Sequence, residues 1–207
     1  MTESIIEAKQ DRSIATQNRL IAALHNNLKT KYFEHISIKE LASEANVSVG
    51  TFYRRFKNKD ALLPLLYQDF GNRMQAWVEE LEKVNFANLQ TAITQTCEQA
   101  HVFLLENKGV FRTLHLNTRL HSEILKSDSK VDRAEIYQRI SEVFIKTAQN
   151  QGRTISTTVA STSVFTMIAL LMEKTIYPDM TPATASELNS EEFAAELPNL
   201  LIAYLNQ

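Results

Sequence analysis

Thirteen consecutive residues, Val47–Lys59, carry Arg54, Arg55, Lys57 and Lys59 and no acidic side chain. Ahead of these cations stand the hydroxyls of Ser48, Thr51 and Tyr53 and one glycine, Gly50. Cationic donors and hydroxyls at this density suit contact with the phosphates and base edges of a nucleic-acid duplex. Gly50 has no side chain to hold its backbone off a groove, and an arginine at position 54 is long enough to reach a base edge. Thr51, Arg54 and Arg55 are the candidates for reading bases, and Ser37, Ser48, Tyr53 and Lys59 those for holding phosphates; Val49, Gly50 and Lys57 complete the expected DNA-binding set. A run of charge more often forms a solvated face, so the elements that carry it decide between the two readings.

Those elements can be read from the flanking residues. Arg12–Thr30 predicts a helix with Leu20, Leu24 and Leu28 on one stripe. Ser37-Ile38-Lys39-Glu40 is a capping box that opens a short helix with Ile38, Leu41, Ala42 and Ala45 inward. Asn46 tolerates the left-handed geometry of a tight turn, and Ser48 is the N-cap of a second short helix ending near Phe56. Helical spacing places Val49, Phe52 and Phe56 on its inner side, facing Leu41, Ala45 and Val47. Gly50, Thr51, Arg54 and Arg55 then face outward, with Tyr53 at the margin. A short helix with a small, polar, basic outer face fits the major groove of DNA. Asn58 caps a long helix, Lys59–Glu82, whose first turns Pro64 should bend or loosen. Lys59 would add its charge to the positive end of that helix.

The rest of the chain follows the same pattern. Only 4 Gly and 4 Pro occur in 207 residues, and strand-type alternation is nearly absent. Helices are expected over Asn88–Asn107, Gly109–Leu125, Ser129–Gln151, Thr154–Ile176 and Ser190–Leu205, with a linker-like stretch at Asp179–Leu188. The expected fold is all-α: a helix-turn-helix DNA-binding domain of three short helices over 1–57, then a helical bundle over 58–207. Net charge is −2, yet residues 1–60 carry +3 and the remainder −5, which fits a basic module on an acidic body. Residues 1–11 lack a long apolar stretch, and the apolar run Val164–Met172 is far short of the roughly 20 residues of a membrane span. A cytoplasmic chain with no membrane partner is expected.

Other constellations are thinner. Cys97 is the single cysteine, so it excludes an internal disulfide and reads as a small buried hydrophobe. Glu98 and His101 have the Glu-x-x-His spacing of di-iron bundles, but no second copy accompanies them. No nucleophile elbow or phosphate loop occurs, so neither an enzyme, a metal nor a cofactor is expected. The alternative from another class is a helical bundle binding a small molecule or metal and carrying an incidental basic hairpin. Phe70, Met74, Trp77, Phe103, Phe111, Tyr137, Phe144 and Phe165 are large adaptable side chains, most of them core. With His101 or His115 as a polar anchor, they are the candidates for lining an apolar pocket for a small hydrophobic effector. An apolar stripe on the last helix (Phe193, Leu197, Leu200, Leu201, Tyr204 and Leu205) and the apolar helix before it suggest a homodimer through 154–176 and 190–205.

The stretch Ser37–Leu63 resembles the N-terminal signature of the TetR (tetracycline repressor) family. The resemblance is strong over residues 12–66, and its specific part is Val47-Ser48-x-Gly50-Thr51-x-Tyr53-x-x-Phe56 with Lys59-x-x-Leu62-Leu63. It implies an all-helical homodimer on a palindromic, double-stranded operator, with a C-terminal pocket whose ligand releases the DNA. Two positions depart from the family: Asn46 and Tyr32 stand where members usually have glycine. Asn46 still tolerates the turn, whereas Tyr32 implies a different exit from the first helix.

Overall fold

The computed structural model describes residues 2–206 apart from 121–131, with side chains from Ser13 onward. All regular structure among the described residues is helical. The chain divides into two compact units, Met1–Phe70 with Gly109–Ser129, and Gly71–Lys108 with Lys130–Gln207. The boundary between the units falls inside a helix, after Phe70.

In the first unit, α1 (Thr2–Leu28) presents Leu20, Leu24 and Leu28 as a fully buried stripe. Two short helices follow, α2 (Ile38–Glu44) and α3 (Val49–Tyr53). Between them the backbone closes a Schellman turn: Val47 N–H donates to Ala42 O at 2.9 Å and Asn46 N–H to Ser43 O at 3.1 Å. Asn46 takes φ 52°, the left-handed conformation foreseen for it. Residues Lys59–Leu62 wind as a 3-10 turn before α4 (Leu63–Lys83). Pro64 loosens the entry to α4 without breaking it, because it occupies the first turn, where a missing N–H costs least. His25 of α1 and Asp69 of α4 pair at 2.9 Å.

Helix α6 (Lys108–Leu120) packs on the end of α1. Gly109 lies so close to Leu28 that a Cβ there would stand 2.0 Å from Leu28 O. One turn on, the Arg112 guanidinium donates to Lys31 O at 2.8 Å and lies 3.7 Å over the Tyr32 ring. Tyr32, the departure from the family pattern, is thus the platform for an arginine of α6. Phe111 meets Phe70 edge-on at 5.2 Å. His121, at the far end of the expected helix, lies outside the described residues.

The second unit is built from α5 (Leu89–Glu106), α7 (Arg133–Asn150), α8 (Thr157–Ile176) and α9 (Ser190–Leu205), with the remainder of α4. Helix α5 packs against all three of its partners, and α8 against α7 and α9. Alanines 92, 100, 148, 160 and 194 in the interior let these helices approach closely. Helix α8 is, by length and composition, apolar enough to cross a membrane (20 residues, hydropathy 1.3), which the shorter run Val164–Met172 did not suggest. It packs as a core helix, with Ala160, Val164, Met167 and Leu171 buried. Lys174, also buried, donates to Ala183 O at 2.9 Å and Ser186 O at 2.7 Å, closing the loop that leads to α9. Pro198 is accommodated inside α9.

Gly109→Ala should lower thermal stability by about 1–3 kcal/mol, because backbone and not a movable side chain meets the new methyl. Gly50→Ala, where the nearest atom to an added Cβ is Ser48 Oγ at 3.8 Å, should leave the melting temperature nearly unchanged. Equal melting curves for both variants would contradict this packing of α6 on α1.

Candidate nucleic-acid interface

Helix α3 is a single turn and a half, and its inner side fixes it. Phe52 is fully buried and Phe56 nearly so, their rings 5.3 Å apart. Its start is capped by Ser48, whose Oγ accepts from Thr51 N–H at 3.1 Å. The same hydroxyl pairs with Thr51 Oγ1 at 2.9 Å, and Arg54 Nη2 donates to that Thr51 oxygen at 2.9 Å. This chain of Ser48, Thr51 and Arg54 holds a guanidinium in place on the outer face before any partner arrives.

The outer face consists of Val49, Gly50, Tyr53 and Arg54, at spacing i, i+1, i+4 and i+5. Val49 corrects the expectation that placed it inward: it is 39% exposed, and Tyr53 is 56% exposed. At the first position of so short a helix, Val49 precedes the turn that Phe52 buries. Ser37 and Glu40 form the foreseen capping box, with Glu40 N–H to Ser37 Oγ at 3.1 Å and Ser37 N–H to Glu40 Oε2 at 2.8 Å. Lys31 adds a bond of 2.6 Å to Glu40. That bond first, and the two Ser37 contacts after it, hold the Glu40 carboxyl down at about 2.

Two cations of the expected set are engaged within the unit. Arg55 donates to Ser13 Oγ of α1 at 2.6 Å, which ties α3 to α1. Lys59 donates to three carbonyls of the α1–α2 link, Phe33 O at 2.5 Å, Glu34 O at 3.1 Å and Ile36 O at 2.9 Å. Its ammonium also lies 4.5 Å over the Phe33 ring. Burial pushes its pKa down, while Glu34, Asp60 and Glu40 oppose the shift. All three ammonium donors are spent on this link, so the geometry gives Lys59 a structural role where a phosphate contact was expected. Lys57 stays exposed.

The expected pocket residues fall into two groups. Phe70, Phe111 and His115 belong to the first unit; Met74, Trp77, His101, Phe103, Tyr137, Phe144 and Phe165 belong to the second. Trp77 and Phe103 stack at 5.6 Å, and the buried Trp77 Nε1 and His101 Nε2 have no hydrogen-bond partner among the described residues. Burial pushes the His101 pKa down, with Glu191 opposing. Phe144 is fully buried core, and Phe165 is 72% exposed on α8. A cleft of about 260 Å³ lies elsewhere, between Leu89, Ile93, Gln151, Arg153, Ile202 and Leu205. Cys97 is fully buried, and burial pushes its thiol up to about 12, so it is unreactive. Among the described residues no three His, Cys, Asp or Glu side chains converge, and Glu98 and His101 gain no further partners of that kind.

Residues 20–66, which contain α2, α3 and the Lys59 turn, match the model of bacterial regulatory proteins of the tetR family. Over this module the chain is similar to the TetR family. A curated relative, the uncharacterized HTH-type transcriptional regulator YdgC of Bacillus subtilis (strain 168), is 23% identical over 104 residues, 49% of this chain and 53% of its own. The match thus spans about half the length of that relative. The TetR-family regulator PfmR from Thermus thermophilus superposes with a TM-score of 0.60 at 16% identity, covering 89% of this chain and 97% of that one. A putative TetR-family regulator from Mesorhizobium loti gives 0.62 at 16%, covering 94% and 97%. The dihydroxyacetone kinase operon activator DhaS gives 0.53 at 16%, covering 93% and 97%. These likenesses establish the TetR fold, helix-turn-helix first and helical body after.

Lys59→Ala should destabilise the protein by about 1.5–3 kcal/mol, the worth of charge-assisted hydrogen bonds. In DNA titrations it should leave the salt dependence unchanged, whereas Lys57→Ala should lower the slope of log K against log salt by about one. A full-strength melting curve with a lowered slope for Lys59→Ala would return that lysine to the phosphate-contact set.

Proposed function

We propose that the chain is a sequence-specific, DNA-binding transcriptional regulator, acting as a homodimer on a palindromic operator and released by a small hydrophobic effector. It is a regulator and not an enzyme. The observation that carries the reading is the outer face of α3, where Val49, Gly50, Tyr53 and a pre-ordered Arg54 stand exposed on a helix anchored by Phe52. Such a face can enter a major groove, with Arg54 at a base edge and Tyr53 and Lys57 toward phosphates. Ser37 and Ser48 cap α2 and α3. Arg55 supports the module through Ser13. Repression is the form of regulation that ligand release implies, although DhaS, with the same fold, is named an activator.

The stripe expected on α9 is largely spent within the chain, since Leu197, Leu201 and Leu205 are buried. The surface left for a second copy is the outer side of α8, where Phe165, Ile168, Ala169 and Met172 recur at i, i+3, i+4 and i+7, with Leu200 57% exposed on α9. For the effector, the buried Trp77 Nε1 and His101 Nε2, without a partner among the described residues, support a largely apolar molecule with a hydrogen-bonding group, because buried polar atoms without partners are costly.

Genomic footprinting followed by gel-shift titration tests the DNA reading. Arg54→Ala should lose about 1–3 kcal/mol of operator affinity while affinity for random DNA changes little. Equal losses on both would remove Arg54 from base reading. Light scattering should give twice the 23.6 kDa chain mass, and Phe165→Asp should return it to the chain mass. A wild-type monomer at micromolar concentration, or a Phe165→Asp dimer, would contradict the α8 interface.

A further inference from the structure

Val49 opens α3 and is 39% exposed, an aliphatic side chain on an otherwise polar surface. Its neighbours leave the readout at that end of the helix to it. Ser48 Oγ and Thr51 Oγ1 are bonded to each other at 2.9 Å, Ser48 Oγ also accepts the Thr51 N–H, and Thr51 Oγ1 accepts from Arg54. Gly50 has no side chain. The other exposed reader, Arg54, springs from the C-cap of α3, and its guanidinium reaches back only as far as Thr51. What the N-terminal end of the helix offers to a groove is therefore a branched hydrocarbon with few side-chain rotamers.

Resting on the DNA-binding reading above, we infer that Val49 is a specificity-determining residue that selects a thymine in each operator half-site by packing on its C5-methyl group. In the major groove the thymine methyl is the one apolar feature a base pair presents. Against the N7 and O6 acceptors of guanine or the N7 and N6 groups of adenine, valine would displace water and return no hydrogen bond, which is unfavourable. Cytosine presents an amino donor and no methyl at the corresponding position. The base opposite Val49 is thus chosen by hydrophobic contact, and a base opposite Arg54 by hydrogen bonding. The two side chains read by different physics.

The test uses the full-length protein and a duplex recovered from random-sequence DNA by repeated selection on the wild type. Each thymine of a half-site is replaced in turn by deoxyuridine, which removes only the methyl group. At one position the wild type should bind roughly fourfold more weakly, the value of one buried methyl, and about 15-fold more weakly when both half-sites are substituted. Val49→Ala should bind the thymine and deoxyuridine duplexes within about 1.5-fold of each other and should lose the thymine preference at that position when selection is repeated. Its melting temperature should match the wild type, since the side chain is exposed. If the wild type loses affinity at no deoxyuridine position, or Val49→Ala loses it equally, the inference is overturned while the DNA reading stands. If selection enriches no sequence, both are overturned.

Discussion

The ammonium of Lys59 holds the DNA-binding module closed. Its three donors meet the carbonyls of Phe33, Glu34 and Ile36, and the ring of Phe33 lies beneath it. The link between α1 and α2 is too short to form a regular helix beyond one 3-10 turn, Phe33–His35, so its carbonyls need donors from elsewhere. A lysine at the start of the turn into α4 supplies them and fixes both ends of the helix-turn-helix at once. Lysine suits this better than arginine, because a compact ammonium can point its donors at three converging oxygens, whereas a planar guanidinium cannot. Lys174 closes the Ala183–Ser186 loop in the same way. A lysine spent on backbone carbonyls is thus used in both units.

Once the module is closed, α3 can be short. A five-residue helix has no stability of its own, because nucleation costs more than one turn returns. Phe52 and the Schellman turn at Asn46 provide the fixation from inside. The outer face is then free of structural duty, and its polar side chains organise one another. The Ser48–Thr51–Arg54 chain gives up some of the donor capacity of Arg54 in exchange for orientation. Less side-chain entropy then remains to be lost on binding.

Local signals carried much of this into the sequence. The capping box at Ser37, the cap at Ser48, the left-handed Asn46 and the inward Phe52 and Phe56 are set by residues within four positions of one another, and each is found as expected. What was not legible depends on contacts across long separations. The partners of Lys59 lie 23–26 residues back, and that of Arg55 lies 42 back. Two cations that count as DNA-facing by composition are therefore engaged within the unit. Val49 stood in the expected DNA-binding set, but its outward orientation escaped for a subtler reason. Periodicity assigns it to the Phe52 face, but a helix beginning at that residue has no preceding turn to bury it against. The signal that could have found it is the N-cap at Ser48, which makes position 49 the first residue of the helix.

The seat of α6 bears on how such a module could be regulated. Gly109 touches the end of α1, and three residues later Arg112 takes hold of Lys31 and Tyr32 in the α1–α2 link. Lys31 in turn holds Glu40 in the first turn of α2, and Lys59 holds the other end of the same link. Arg112, Glu40 and Lys59 therefore converge on one six-residue stretch, Lys31–Ile36, from α6, α2 and the turn into α4. In the proposed reading an effector acts only through its difference in affinity between DNA-competent and DNA-released states, typically about 1–3 kcal/mol. An energy of that size is comparable with one guanidinium–ring contact and one charged hydrogen bond. A movement of α6 large enough to break the Arg112 contacts would thus use the whole of it, and it would loosen the link that positions α2 without disturbing Phe52 or the α3 cap. Regulation by this route leaves the reading helix intact and changes only how firmly it is held.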